Sequence, residues 1–156
     1  MDIRDVSLRY LTYRSRSRKE MRDHLLKKGY SEEDTEEELT ELAEAGLIND
    51  IEFAKVFMDA SFSKGRGLVR IKRELAQKGL SAFDIEDAMA EFEDENDCDL
   101  DEGERQRAAL QAEKFMRGLE IDDKVLMKLS RKLITLGYSP SLMYDIVAGY
   151  RKERQE

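Results

Sequence analysis

Residues 65–81 read GRGLVRIKRELAQKGLS, and the outline of this segment occurs three times in the chain. In each copy apolar residues lie eight, four and three positions before a glycine, and a serine lies two positions after it. The glycines are Gly29, Gly79 and Gly137. This apolar spacing marks one face of an α-helix, which the glycine ends and after which the serine can cap a second helix. The pattern therefore predicts three copies of a helix–turn–helix unit.

A further amphipathic helix before each pair completes a predicted three-helix repeat. The predicted repeats are residues 1–48, 49–93 and 104–156, and the acidic segment 94–103 is interpreted as a linker or a helix extension. A repeat of this size buries little apolar surface alone, so neighbouring repeats must share a core. The expected fold class is all-α, with three-helix repeats in tandem. The helices are expected at residues 7–14 (with Leu8 and Leu11 inward), 19–28, 31–45, 51–63, 68–78, 81–93, 104–117, 124–136 and 139–152.

The composition agrees with a highly charged helical protein. Of 156 residues, 40% are charged, one is proline and none is tryptophan. Cys98 is the only cysteine, which excludes an internal disulfide. No apolar run reaches the roughly 20 residues that span a bilayer, and the first residues contain no apolar signal segment. The sequence predicts a cytoplasmic protein outside the membrane.

Charge is distributed in blocks that follow the repeats. The net charge is −8. Residues 31–50 and 81–104 contain acids and no base, whereas residues 1–30, 51–80 and 105–156 are each net positive. The basic blocks are the candidate contacts for an anionic partner.

The first candidate site is the basic turn, a name used here for five cations around the glycine pair. Two glycines around an arginine are costly unless the turn is used, and arginine forks suit phosphates and carboxylates. The alternative is a solvated face that pairs with the acidic helices. The basic turn consists of Lys64, Arg66, Arg70, Lys72 and Arg73.

The second candidate site is the N-terminal cluster, which consists of Arg14, Arg16, Arg18 and Lys19. These side chains could follow a phosphate backbone, with Tyr10 and Tyr13 stacking on bases. The alternative is a solubilising edge of the first repeat.

Catalysis and metal binding have little support. His24 is the only histidine, and the sequence contains no phosphate-cradling glycine loop and no metal-ligand spacing. The helix-turn-helix outline also fits a DNA reader, but the helix that would enter the groove, residues 31–45, carries acids and no base, so phosphates would repel it. We therefore expect no enzyme, no metal and no cofactor.

The segment NDIEFAKVFMDASFSKGRGLVRIKRELAQKGLS, residues 49–81, closely resembles the central part of the RecX family of regulatory proteins. The preceding segment resembles that family in spacing and residue type, and the last third does so mainly through its Leu-Gly-Tyr-Ser turn. The elements that carry the resemblance are Asp50, Phe53-Ala54, Gly65 or Gly67 with Arg66, Arg70-Ile71, Glu74-Leu75 and Lys78-Gly79.

The resemblance implies an elongated, curved body and a role in the control of recombination and DNA repair. It implies that the protein binds the RecA recombinase filament on single-stranded DNA and inhibits filament growth, ATPase activity and strand exchange. The basic turn and the N-terminal cluster would then contact the filament, and the protein is expected to be a monomer. The alternatives are a single-stranded nucleic-acid binder that acts without RecA, or a helical protein-binding scaffold. The residues expected to hold the middle repeat together are Phe53, Ala54, Phe57, Ile71 and Leu75.

Overall fold

The structure, a computed structural model, describes residues 1–156 and consists of nine helices without a β-strand. The all-α class and the tandem helical repeats predicted from the sequence are confirmed. None of the helices combines the length and the apolar character needed to cross a bilayer. The helices are α1 (Ile3–Tyr13), α2 (Arg18–Lys27), α3 (Glu32–Glu44), α4 (Asp50–Ser63), α5 (Leu68–Gln77), α6 (Ala82–Asn96), α7 (Leu100–Met116), α8 (Asp123–Leu136) and α9 (Pro140–Gln155).

The three repeated glycine turns have one backbone geometry. Gly29, Gly79 and Gly137 have φ angles of 98°, 96° and 104°, in the region that side chains avoid. In each turn the N–H of the residue after the glycine donates to the carbonyl that lies four residues before the glycine. The N–H of the glycine itself donates to the carbonyl three residues before the glycine. This is the Schellman arrangement, which satisfies carbonyls that the helix end leaves free. The next helix is then capped by a serine hydroxyl, from Ser31, Ser81 or Ser139 in turn.

The chain divides into two compact units, residues 1–57 with 75–91 and residues 58–74 with 92–156. Helices α4, α5 and α6 each contribute residues to both units. These two units follow spatial compactness and do not correspond to the three repeats predicted from the sequence pattern. The predicted repeat boundaries therefore stay a prediction.

The first unit has a core between α1, α2 and α3. Glu38 is 3% exposed beside this core, where its carboxylate accepts hydrogen bonds from Ser7 and from the guanidinium of Arg4. A buried carboxylate needs such partners to offset the loss of water. The core residues are Met21, Leu25, Leu39, Leu42 and Ile48.

The second unit has its largest apolar cluster among α7, α8 and α9. Ala108 and Ala112 of α7 are fully buried, and Phe115 is half-buried. The small alanine side chains let α7 approach the larger side chains of α8 and α9. The buried residues of those two helices and the turn between them are Leu126, Leu129, Leu133, Tyr138, Leu142, Met143 and Val147.

The first helix differs from its prediction. It begins at Ile3 rather than Ser7, and Leu8, expected to face inward, is 43% exposed. Ser7 is fully buried instead, because its hydroxyl hydrogen-bonds the buried carboxylate of Glu38 at 3.0 Å. Leu11, the other residue expected to face inward, is half-buried and packs against the core, so only the position of Leu8 is wrong.

The acidic segment 94–103 is mostly helix. Helix α6 continues to Asn96 and α7 begins at Leu100, so only residues 97–99, with the exposed Cys98, lie between helices. Asp99 caps α7 by accepting the N–H groups of residues 101 and 102. Acidic residues at a helix N-terminus are stabilised by the helix dipole, which favours the start of α7, where Asp101 and Glu102 lie in the first turn.

Helix α9 is longer than predicted. It runs to Gln155, three residues beyond its predicted end.

Among the residues expected to hold the middle repeat, Phe57 is half-buried and four are buried. Those four are Phe53, Ala54, Ile71 and Leu75, with exposures of 5%, 0%, 0% and 1%.

Replacing Leu75 with Ala should lower the free energy of unfolding by about 2–5 kcal/mol, because the substitution leaves a cavity in a closed core. Urea denaturation followed by far-UV circular dichroism measures this loss. Val69→Ala, on the same helix but 49% exposed, is the matched control and should change stability by less than about 1 kcal/mol. Equal losses in the two variants would contradict the assigned burial.

Candidate functional site

The basic turn begins where α4 ends. Gly65 has a φ of 76°, its N–H donates to the carbonyl of Phe62 at 2.9 Å, and the N–H of Arg66 donates to Ser61 at 3.1 Å. This is the same Schellman arrangement as at the repeated turns. It fixes the direction in which the half-buried Arg66 leaves the helix end.

Gly67 lies against another part of the second unit. Its N–H donates to the carbonyl of Leu136 at 2.8 Å, and the N–H of Val69 donates to Gly137 at 3.0 Å. A Cβ on residue 67 would collide with the carbonyl group of Gly137. The space beside Gly67 is therefore occupied by the chain itself and not open to a ligand. Packing accounts for this glycine.

A buried carboxylate completes the same junction. Glu104 of α7 is 9% exposed and accepts the N–H of Leu68 at 2.9 and 3.1 Å and a hydrogen bond from Arg107 at 3.1 Å. Burial raises the pKa of Glu104, and these two donors oppose the increase. Sequence reasoning missed Glu104, although it stands four residues before Ala108, at the helical spacing of the buried face.

Tyr138, the residue after Gly137, connects the third repeated turn to the basic turn by a hydrogen bond. Its ring is 1% exposed and its hydroxyl donates to the carbonyl of Gly65 at 2.5 Å. Burial raises the pKa of Tyr138 to about 12; the negative charge of Glu104 adds to the increase and Arg107 opposes it. The hydroxyl therefore remains a donor at neutral pH.

The five cations of the basic turn differ in their surroundings. The Nε of Arg70 donates to Glu74 at 2.8 Å and its Nη1 to the carbonyl of Thr135 at 3.4 Å. Lys72 is half-buried on α5. Lys64 and Arg73 are exposed, and with Arg66 they form no hydrogen bond or ion pair through their side chains. These three cations are the ones that the structure leaves open to a partner.

The N-terminal cluster is bonded within the first unit. Arg14 pairs with Glu20 at 2.6 Å, and Lys78 approaches the same carboxylate at 3.4 Å. Glu20 also closes a capping box with Ser17 at the start of α2. Burial raises the pKa of Glu20, but the hydrogen bonds from Arg14 and Ser17 and the charge of Lys78 outweigh it and lower the pKa to about 2. The S-x-x-E spacing of residues 17–20 is the signal that sequence reasoning overlooked.

Tyr10 cannot stack on a base in this arrangement. The guanidinium carbon of Arg16 lies 3.7 Å from the centre of its ring, and the ring of His24 is stacked parallel to it, also at 3.7 Å. Two planar groups this close must lie on opposite faces, so both faces of Tyr10 are covered. The stacking expected of Tyr10 is therefore wrong, whereas Tyr13 is 79% exposed.

The other two cations of the N-terminal cluster also have partners. Arg18 lies 3.6 Å from the carboxylate of Glu36, and Lys19 donates to the carbonyl of Gln77 at 3.1 Å. The cluster is thus engaged within its own unit to a greater extent than the basic turn.

Nine helices joined by repeated Schellman turns define a class of all-helical proteins built from helical repeats. Two domain models match this chain, the first three-helix domain of RecX over residues 4–42 and the second over residues 49–89. The chain belongs to the RecX family of regulatory proteins, as its sequence resemblance predicted.

Known proteins are similar over most of the chain. The regulatory protein RecX of Mycolicibacterium smegmatis is 35% identical, covering 93% of this chain and 77% of that protein. The regulatory protein RecX of Streptomyces lividans is 36% identical, with coverage of 98% and 79%. The crystal structure of RecX from Lactobacillus salivarius superposes with a TM-score of 0.75 at 26% identity, covering 98% of this chain and 94% of that one.

Glu20→Gln should remove a pH-dependent part of the stability. Because folding lowers the Glu20 pKa to about 2, its contribution is complete above about pH 4.5 and disappears as the pH falls towards about 2. Urea midpoints measured from neutral pH down to about pH 2 should show the variant less stable than the unmodified protein at neutral pH. The difference should vanish at the acidic end. Glu37→Gln, at an exposed position beyond the first turn of α3 and without a partner, removes the same charge as a control and should leave the midpoints nearly unchanged. A constant difference at all pH values would contradict the pairing.

Tyr138→Phe should destabilise the protein by about 1–3 kcal/mol, since it leaves the carbonyl of Gly65 without its buried donor. Chemical denaturation measures the effect. Tyr144→Phe, which removes a hydroxyl from a ring that is 66% exposed, is the matched control and should be nearly neutral. A neutral Tyr138→Phe would show that the hydrogen bond contributes nothing to the junction.

Proposed function

We propose that this protein regulates the RecA recombinase by binding its filament on single-stranded DNA and inhibiting filament growth, ATPase activity and strand exchange. The observation that carries the proposal is the match of both RecX three-helix domains, extended by about one-third identity to RecX proteins over nearly the whole chain. The proposed action is binding without catalysis. The proposed setting is the cytoplasm, with the protein a monomer.

The proposed contact is the basic turn. Lys64, Arg66 and Arg73 have no partner within the chain, so binding a filament would not require them to give up an internal ion pair. Their charges suit both phosphate oxygens and acidic side chains. Arg70 is proposed to position the turn, because its guanidinium is bonded to Glu74 and to the carbonyl of Thr135.

The N-terminal cluster is proposed to contribute in a different way. Arg14 and Arg18 are already paired with carboxylates, and Arg16 covers a tyrosine ring. Direct contacts from these side chains would have to compete with those partners. Their contribution is therefore a long-range field that salt screens over roughly 10 Å.

The test is the RecA ATPase rate on single-stranded DNA, measured with increasing amounts of this protein. The unmodified protein should lower the rate. For Arg66→Ala/Arg73→Ala, half-maximal inhibition should require about tenfold more protein, equal to about 1.4 kcal/mol of lost binding free energy. Far-UV circular dichroism should be unchanged, because neither side chain is bonded within the chain.

Arg105→Ala/Lys114→Ala is the matched control, since it removes two exposed, unpaired cations from α7 of the same unit. This control should inhibit as the unmodified protein does. Absence of inhibition by the unmodified protein would overturn the proposed function. Equal weakening of both double variants would retain the function but reject the basic turn as its contact.

A further inference from the structure

Helix α8 presents a row of cations to which no carboxylate is bonded. The two acids at its start have other partners, since Asp122 accepts the N–H of Val125 and Asp123 pairs with Arg154. From Lys124 to Tyr144 the sequence contains four bases and no acid, within a chain whose net charge is −8. All four bases are exposed, and none has a hydrogen-bond or ion-pair partner. We call this row, which consists of Lys124, Lys128, Arg131 and Lys132, the α8 stripe.

Helical spacing aligns the stripe on the side of α8 that faces solvent. Lys124, Lys128 and Arg131 follow one another at four and three residues, which places them above one another along the helix over about 10 Å. The opposite face of α8 supplies Leu126, Leu129 and Leu133 to the core of the second unit. The core therefore fixes the direction of the stripe.

The C-terminal end of α8 does not oppose this positive charge as a free helix end would. Free carbonyls carry the negative end of the helix dipole. Here the carbonyls of Leu136 and Gly137 are bonded to backbone N–H groups at the start of α5, and the guanidinium of Arg70 reaches the carbonyl of Thr135. The positive potential of the stripe therefore extends to this end of the helix.

We infer that the α8 stripe binds the phosphate backbone of single-stranded nucleic acid. Three of its four cations are lysines, which contact phosphates readily but are depleted in protein–protein interfaces. Two apolar side chains lie next to the cations, Met127 at 57% exposure and Ile134 at 42%. Unstacked bases and sugars can contact such side chains, whereas a duplex keeps its base faces inside. This site is independent of the proposed function, because it needs no RecA.

The experiment measures the fluorescence anisotropy of a labelled oligothymidine with the full chain and without RecA, between about 50 and 200 mM salt. The unmodified protein should bind, with affinity that falls as salt rises. Lys128→Gln/Arg131→Gln should bind several-fold more weakly. Its slope of log affinity against log salt should be smaller by about 1.4, since each single-strand phosphate contact contributes about 0.7. Lys128→Arg/Arg131→Lys should keep both the affinity and the slope.

Lys27→Gln/Lys28→Gln is the control for net charge, because it removes two exposed, unpaired lysines from the end of α2. It should keep the salt slope of the unmodified protein. No binding by the unmodified protein, or equal losses in both glutamine variants, would overturn the inference. Unchanged DNA binding by the α8 variant together with weaker inhibition of RecA would also overturn it and assign the stripe to an acidic protein surface. The RecA ATPase assay tests the proposed function separately. The proposed function and the inference about the α8 stripe can therefore each fail without the other.

Discussion

The second unit depends on one junction of backbone hydrogen bonds. The first N–H groups of α5 find their acceptors in the last carbonyls of α8 and in the carboxylate of Glu104, so the start of α5 is satisfied by the end of α8 and by one side chain of α7. Such groups are costly to bury unpaired. The two backbone segments can approach closely because residues 67 and 137 are glycines. The basic turn takes its orientation from that contact.

Charge pairing then separates the cations that maintain the fold from those that are available for binding. In the first unit, acids from α2 and α3 neutralise Arg14, Arg18 and Arg22 at the surface. Individual pairs of this kind stabilise little, but they occupy the side chains concerned. In the second unit the exposed cations of α8 are bonded to no acid, because Asp122 caps the helix and Asp123 pairs with Arg154, so their charge remains open. A net negative chain can thus offer local positive surfaces.

Features set by residues close together in the sequence were predicted well, and contacts between residues far apart in the sequence were missed. The glycine turns and serine caps depend on residues within one turn of each other, so spacing alone predicted Gly29, Gly79 and Gly137 correctly. The burial of Glu104 and the bond from Tyr138 to Gly65 join residues 36 or more positions apart, and no periodicity reports them. For the candidate site, the sequence located the cations but could not tell paired from unpaired ones, which depends on acids brought close by folding.

The short break between α6 and α7 has a practical consequence. Cys98, the chain's only thiol, lies exposed there, with its backbone N–H bonded to the carbonyl of Glu93 at 3.1 Å. A maleimide dye would therefore attach at one position without any engineered substitution. Because that position lies between two helices and outside both basic surfaces, the label would report docking of the protein by energy transfer to a partner carrying a second dye.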